Sequence, residues 1–217
     1  MTIETPYPET AVEPVLPVPI MARDWRAARW VSRIASPPLL AISSTMITAA
    51  QINASQTSGI SAWWWASLIV LLTILTPSGY VFYLLKKGKV TDFDVYLRAQ
   101  RFWPYIISIL CAATSWLVLA VAHAPRLLVV LSGASVGQGV MMFLINQRWK
   151  ISAHAAGTAS AAIIIWQIFG AAGSPALLII PLVGWSRVRL GRHSLLQVIA
   201  GALLGGGVFL GAFMLWN

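Results

Sequence analysis

The chain has 217 residues, of which 58% are hydrophobic and only 10% charged, against about a quarter charged in a soluble domain, so its composition is that of an integral membrane protein. The six acids are Glu4, Glu9, Glu13, Asp24, Asp92 and Asp94, and no carboxylate side chain follows residue 94; this argues against paired-carboxylate hydrolysis and against all-carboxylate calcium or two-metal centres. One cysteine, Cys111, excludes a disulfide framework and a Cys-rich zinc site, and the net charge of +9 points to an anionic partner or to a charged membrane face.

Residues 1–22 contain Pro6, Pro8, Pro14, Pro17 and Pro19 with three Glu, which predicts an extended or disordered tail rather than a signal peptide. Next comes a basic stretch, Arg23, Arg26, Arg29 and Arg33 with Trp25 and Trp30; spacings of three and four place these arginines on one face of a helix lying at the membrane surface. This tail and juxtamembrane stretch, 1–33, precede a transmembrane domain over 34–217. Apolar segments follow at about 34–50, 62–85, 103–122, 127–147, 155–170, 175–186 and 194–216. The first, fifth and sixth are short for a span of around 20 residues. The expected fold is therefore an all-α polytopic transmembrane bundle of six or seven helices.

Charge orders the topology. If all seven segments cross, fourteen of the fifteen Lys and Arg share a side with the N-terminus, and Arg126 alone lies opposite. The positive-inside rule then predicts a plasma or inner membrane protein with a cytoplasmic N-terminus. In the last segment, Gly201/Gly205 and Gly207/Gly211 each fit a small-xxx-small pattern, read as close packing within the chain. Nucleic acid is not an expected partner, because the basic residues sit at membrane boundaries rather than in a free basic domain.

Three polar clusters stand at the predicted cytoplasmic ends. The first runs from Asp92 to Arg101, with Asp94, Arg98 and Arg101 at helical spacing and an expected Asp94–Arg98 pair. The second is Lys150, Ser152 and His154; the third is Ser186, Arg187, Arg189, Arg192, His193 and Ser194. Each precedes or opens an outward-running segment. Helix N-termini carrying Arg, Lys and His form a site for a tetrahedral oxyanion, and neutral His can attack phosphorus or carry a proton near pH 7. His123 lies at the opposite side, where a loop role is expected.

Ser186-Arg187, five residues, then His193, together with Ser152-x-His154 and an upstream Arg-rich stretch, resemble the type 2 phosphatidic acid phosphatase superfamily. The resemblance covers roughly residues 86–215. It implies a metal-independent membrane phosphatase acting on a lipid phosphate or a polyprenyl (di)phosphate through a phosphohistidine, with no cofactor. It further implies that His193 is the nucleophile and His154 the proton donor, with Arg187, Arg101 and Ser152 holding phosphate oxygens.

The chain departs from the family pattern at several positions. Asp94 stands where the family has Lys, Phe102 and Ile151 replace prolines, and Ala153 replaces a glycine. Lys150 is placed to supply the missing positive charge. Gln197 takes the position of the acid that orients the nucleophile; its carbonyl can fix the His193 tautomer but cannot stabilise imidazolium by charge. These replacements support an alternative, a catalytically lapsed phosphatase-like protein serving as an accessory or structural subunit of a membrane complex. Lipid phosphate, membrane lipids and membrane-complex subunits are the expected partners.

Overall fold

The computed structural model describes residues 23–55 and 60–216; the Pro-rich stretch 1–22 lies outside the described residues. Helix α1, Arg23–Ile34, is amphipathic. Its small residues Ala28 and Ser32, with Ala35 just beyond, are buried against the end of the bundle, while Trp30 and Ile34 face outward. Helix α2, Pro37–Ser55, starts at a proline whose missing N–H costs nothing in a first turn. It buries Ser44, Thr48 and Ile52 at intervals of four, a stripe one helical turn apart.

The next crossing, Ala62–Lys86, is divided into α3 (Ala62–Val70), a π-helical turn (Leu71–Leu75) and α4 (Thr76–Lys86). Pro77 explains the widened turn: its ring would clash with the Thr73 carbonyl in a regular helix. The Leu71 carbonyl, which takes the Thr76 backbone N–H in the widened turn, also accepts from Thr76 Oγ1 at 2.8 Å. A 3-10 turn, Arg98–Arg101, leads into α5 (Phe102–Val121), and α6 (Arg126–Asn146) returns. His123, exposed and at φ 53, turns the chain between α5 and α6.

Helix α7, Ala153–Phe169, is built largely of Ala, Gly, Ser and Thr on its N-terminal side and sits at the centre. Gly170, at φ 58, ends it, and a 3-10 stretch, Gly170–Leu178, leads to α8 (Ile179–Arg189). Arg187 near the end of α8 touches His154 at the start of α7, so the two form a hairpin. Thus the short fifth and sixth segments are one helix and one part-3-10 return. Helix α9, Leu195–Trp216, packs along α7. A Cβ on Gly201 would stand 2.5 Å from the Ser152 carbonyl oxygen, and one on Gly205 would meet the Ala156 carbonyl, so only glycine permits this approach. Gly207 and Gly211 have open space instead, so close packing within the chain holds for the first pair and not the second.

Among the described residues, five stretches are long and apolar enough to cross a membrane: Ala62–Lys86, Arg98–Val121, Arg126–Asn146, the hairpin Ala153–Arg189, and Leu195–Trp216. Leu71, Leu110, Leu117, Leu203 and Leu215 lie outside, whereas Ala, Gly and Ser fill the contact between α7 and α9. That distribution suits hydrocarbon as the solvent, since lipid tails leave helices to associate by close contact of small residues. The chain is an all-α helical membrane bundle.

Candidate functional site

The three basic clusters meet at one end of the bundle. Arg101 in the 3-10 turn donates through Nη1 to the Ile151 carbonyl at 3.3 Å and through Nε to the Val95 carbonyl at 2.7 Å. The Ser152 backbone N–H donates to the Gln197 carbonyl at 3.2 Å. The N-terminal ends of α5, α7 and α9 are therefore held side by side.

The polar side chains there are deeply enclosed. Exposure is 6% for Arg101, 4% for Lys150, 3% for Arg187, 7% for His154 and 8% for His193, and Ser152 and Ser186 are fully buried. Burying cations is costly unless charge and hydrogen bonds compensate. Arg187 is compensated through one nitrogen: Nη1 donates to Ser32 Oγ at 2.6 Å and to Asp94 Oδ2 at 3.1 Å, and lies 3.5 Å from His154 Nε2. A guanidinium only donates, so His154 Nε2 is the acceptor in that contact. Arg187 Nε is buried with no partner. Lys150 Nζ lies 3.5 Å from the centre of the Tyr96 ring, and the Arg192 guanidinium 5.1 Å from the same ring.

Ser152 caps α7, its Oγ accepting from the Ala155 N–H at 3.3 Å. Ser194 and Gln197 form a capping box at the start of α9. The Gln197 N–H donates to Ser194 Oγ at 3.3 Å, and the Ser194 N–H donates to Gln197 Oε1 at 3.2 Å. His193 Nδ1 lies 3.2 Å from that same Oε1. Because a backbone N–H fixes the Gln197 atom as oxygen, Nδ1 must donate, and Nε2 carries the lone pair. Burial, then the charges of Arg101, Arg187 and Lys150, pull the His193 pKa down to about 2, against a small opposing pull from Gln197. The ring is neutral at physiological pH.

For Asp94, burial alone would raise the carboxyl pKa, but His154, Arg187 and Arg192 hold it below the usual value. It is the third acid tied to the α8–α9 turn. Asp24 accepts from Arg189 Nε at 2.6 Å and Asp92 from Arg192 Nη1 at 3.4 Å. Two cavities flank Arg187 and His154. One, ≈ 590 Å³, lies between α1 and the turn at Gly191–Arg192. The other, ≈ 550 Å³, reaches from Asp94 and His154 past Pro37 and Pro77 to Val81.

Every site residue expected from sequence (Arg101, Lys150, Ser152, His154, Arg187, His193 and Gln197) lies in this assembly. Two expectations are corrected. Asp94, Arg98 and Arg101 share no helical face, because residues 91–97 are irregular and Val95 takes φ 48. Asp94 pairs with Arg187, while Arg98 Nη1 donates to the carbonyls of Gln147 at 2.7 Å and Asn146 at 3.3 Å at the end of α6. Sequence reasoning missed Ser32, Tyr96 and the capping box. The box was legible as Ser-x-x-Gln ahead of an apolar run. Nothing local to α1 singles out Ser32.

A family model described as the PAP2 superfamily matches residues 142–217, a stretch that holds six of these site residues and leaves Arg101 outside. No curated protein and no solved structure matches the chain.

Proposed function

The chain belongs to the PAP2 superfamily through residues 142–217, and from that premise we propose that it is a metal-independent membrane phosphatase for a lipid phosphate or polyprenyl (di)phosphate. The observation that carries the reading is Arg187 Nε: a buried N–H donor without a partner, amid three buried cations and two buried histidines. An oxyanion is the ligand that such a site lacks, and the neutral Nε2 of His193 is the nucleophile that such a ligand meets.

In this reading, Arg187, Arg101, Lys150 and Ser152 hold the nonbridging phosphoryl oxygens, where their fixed charges oppose the negative charge of the transition state. His193 Nε2 attacks phosphorus as the bond to the leaving oxygen breaks, and His154, which takes up a proton when the bound anion offsets the charge of Arg187, gives that proton to the leaving oxygen. A phosphohistidine remains. His154 then takes a proton from water, the hydroxide oxygen attacks phosphorus, the N–P bond breaks, and phosphate leaves. The head group enters from the cytoplasmic side, consistent with the positive-inside distribution, and the tail stays in the bilayer beside the cavity between α2 and α4.

The test is phosphate release from a panel of lipid phosphates by the detergent-purified chain in EDTA, with acid-quench trapping of a labile phosphoenzyme. Release and trapping are expected for the wild type and lost in His193→Ala and Arg187→Ala. One observation favours a second reading: Arg187 is already occupied by Ser32 and Asp94. In a lapsed phosphatase-like subunit those contacts would be structural. Absence of release and of trapped phosphate on every substrate, with a stoichiometric membrane partner co-purifying, would decide for it.

A further inference from the structure

Helix α1 lies outside the segment matched by the family model, yet it walls one side of the site. Two hydrogen bonds hold it there: Arg189 to Asp24 at 2.6 Å and Arg187 to Ser32 at 2.6 Å. Between α1 and the α8–α9 turn lies the ≈ 590 Å³ cavity, a size usual for small-molecule sites. Arg187 lies at its inner side, Arg29 and Arg33 line it from α1, and Arg192 with Tyr96 lines it from the opposite side. Arg29 is stacked on Trp25, 3.8 Å from the ring centre, which orders the guanidinium without neutralising it. Among the described residues neither Arg29 nor Arg33 has a carboxylate partner; Asp24, Asp92 and Asp94 are taken by Arg189, Arg192 and Arg187.

A single phosphoryl group at His193 needs Arg187, Arg101 and Lys150. It leaves Arg29 and Arg33 without a carboxylate or phosphoryl partner among the described residues. We propose that the cavity under α1 is a second anion subsite, in which Arg29 and Arg33 bind an anionic leaving group, so that the preferred substrate carries a diphosphate rather than a phosphate monoester. The inference rests on the phosphatase reading above. When His193 Nε2 bonds to the terminal phosphorus, the P–O bond to the bridging oxygen breaks. The electron pair stays on that oxygen, and the leaving phosphate monoester is held by Arg29 and Arg33. Cations placed where this charge develops stabilise the transition state as well as the ground state. A monoester, leaving as a neutral alcohol, gains nothing from them.

The full-length chain in detergent is titrated calorimetrically with two probes, inorganic phosphate and methylenediphosphonate, which cannot be hydrolysed. The diphosphonate is expected to bind at least tenfold tighter. The double variant Arg29→Ala/Arg33→Ala removes that advantage and leaves phosphate affinity unchanged; Arg29→Lys/Arg33→Lys retains part of it, which a merely structural role for α1 would not predict. Phosphate binding with no diphosphonate advantage, or an equal loss for both anions in the Ala variant, overturns the subsite while leaving the phosphatase reading intact. Binding of neither anion by the wild type overturns both.

Discussion

His193 and Gln197 share one oxygen with the backbone: Gln197 Oε1 lies 3.2 Å from His193 Nδ1 and accepts the Ser194 N–H at 3.2 Å. A single side chain thus caps a helix and fixes a histidine tautomer. Gln197→Ala is expected to lose about 1 kcal/mol of stability and about 10²-fold in kcat, because the ring is no longer held with Nε2 unprotonated. Ser194→Ala removes the other half of the box. It is expected to cost similar stability while leaving kcat within about threefold, since the Ser194 backbone N–H still holds Oε1. Gln197→Glu keeps the box and adds the missing charge, and a rise of about tenfold in phosphoenzyme formation is expected. Thermal melts with rapid-quench kinetics separate these cases.

Asp94 sits on Arg187, the guanidinium that the proposed phosphatase reading assigns to a phosphate oxygen. A ligand that competes with an internal partner binds more weakly by the fraction of time that the site is free. Asp94→Asn is expected to lower the inhibition constant for inorganic phosphate by roughly three- to tenfold. The wild-type carboxyl is held below its usual pKa, so its contribution to stability is present above that usual value and is lost only as the pH falls through the lowered one. Competition therefore persists through the whole range from pH 5 to 8. An unchanged constant in Asp94→Asn would show that Asp94 moves aside freely.

The pH dependence of stability has a second sign-determined component. His193, pulled down to about 2, is neutral in the folded chain at any pH near neutrality, while in the unfolded chain it takes up a proton near pH 6.5. Folded stability is therefore intact above about pH 6.5 and falls as the pH drops below it. The loss is at most about 1.4 kcal/mol per pH unit, or roughly 2 kcal/mol between pH 6.5 and 5. His193→Asn is expected to lose correspondingly less over that interval in detergent melts at the two pH values. The same lowered value predicts that His193 contributes no acid limb to a kcat/KM profile between pH 5 and 7.

The α7–α9 contact sets the distance between the two histidine-bearing segments. A Cβ at Gly205 would collide with the Ala156 backbone, which cannot rotate away, whereas Gly207 faces open space. Gly205→Ala is expected to destabilise by about 1–3 kcal/mol and to lower activity by displacing the α7 N-terminus. Gly207→Ala, on the same helix, is expected to be neutral or slightly stabilising. Melting temperature and phosphate release for the pair check this.

The candidate site was legible to an unusual degree because its recognisable part is short-range. Ser186, Arg187 and His193 lie within eight residues of chain, and Ser152 and His154 are two residues apart. What the basic residues do was not legible. Asp94 at helical spacing from Arg98 suggested a local pair, and the backbone at Val95 broke the helix that the pair required. Arg187 meets Ser32 and Asp94 across 155 and 93 residues, and Arg189 meets Asp24 across 165.

The sequence by itself determined the membrane class, most of the apolar spans, the clustering of basic residues at their ends and the residues that meet in the candidate site. These follow from composition and local spacing, which burial in hydrocarbon and helix geometry impose on neighbouring residues. Only the tertiary structure decided that segments five and six form a hairpin at Gly170, that α1 closes one side of the site, and which acid neutralises which arginine. Those outcomes depend on contacts between distant helices. With so few carboxylates among so many arginines, local spacing favours no single pairing until packing has brought one of them within reach.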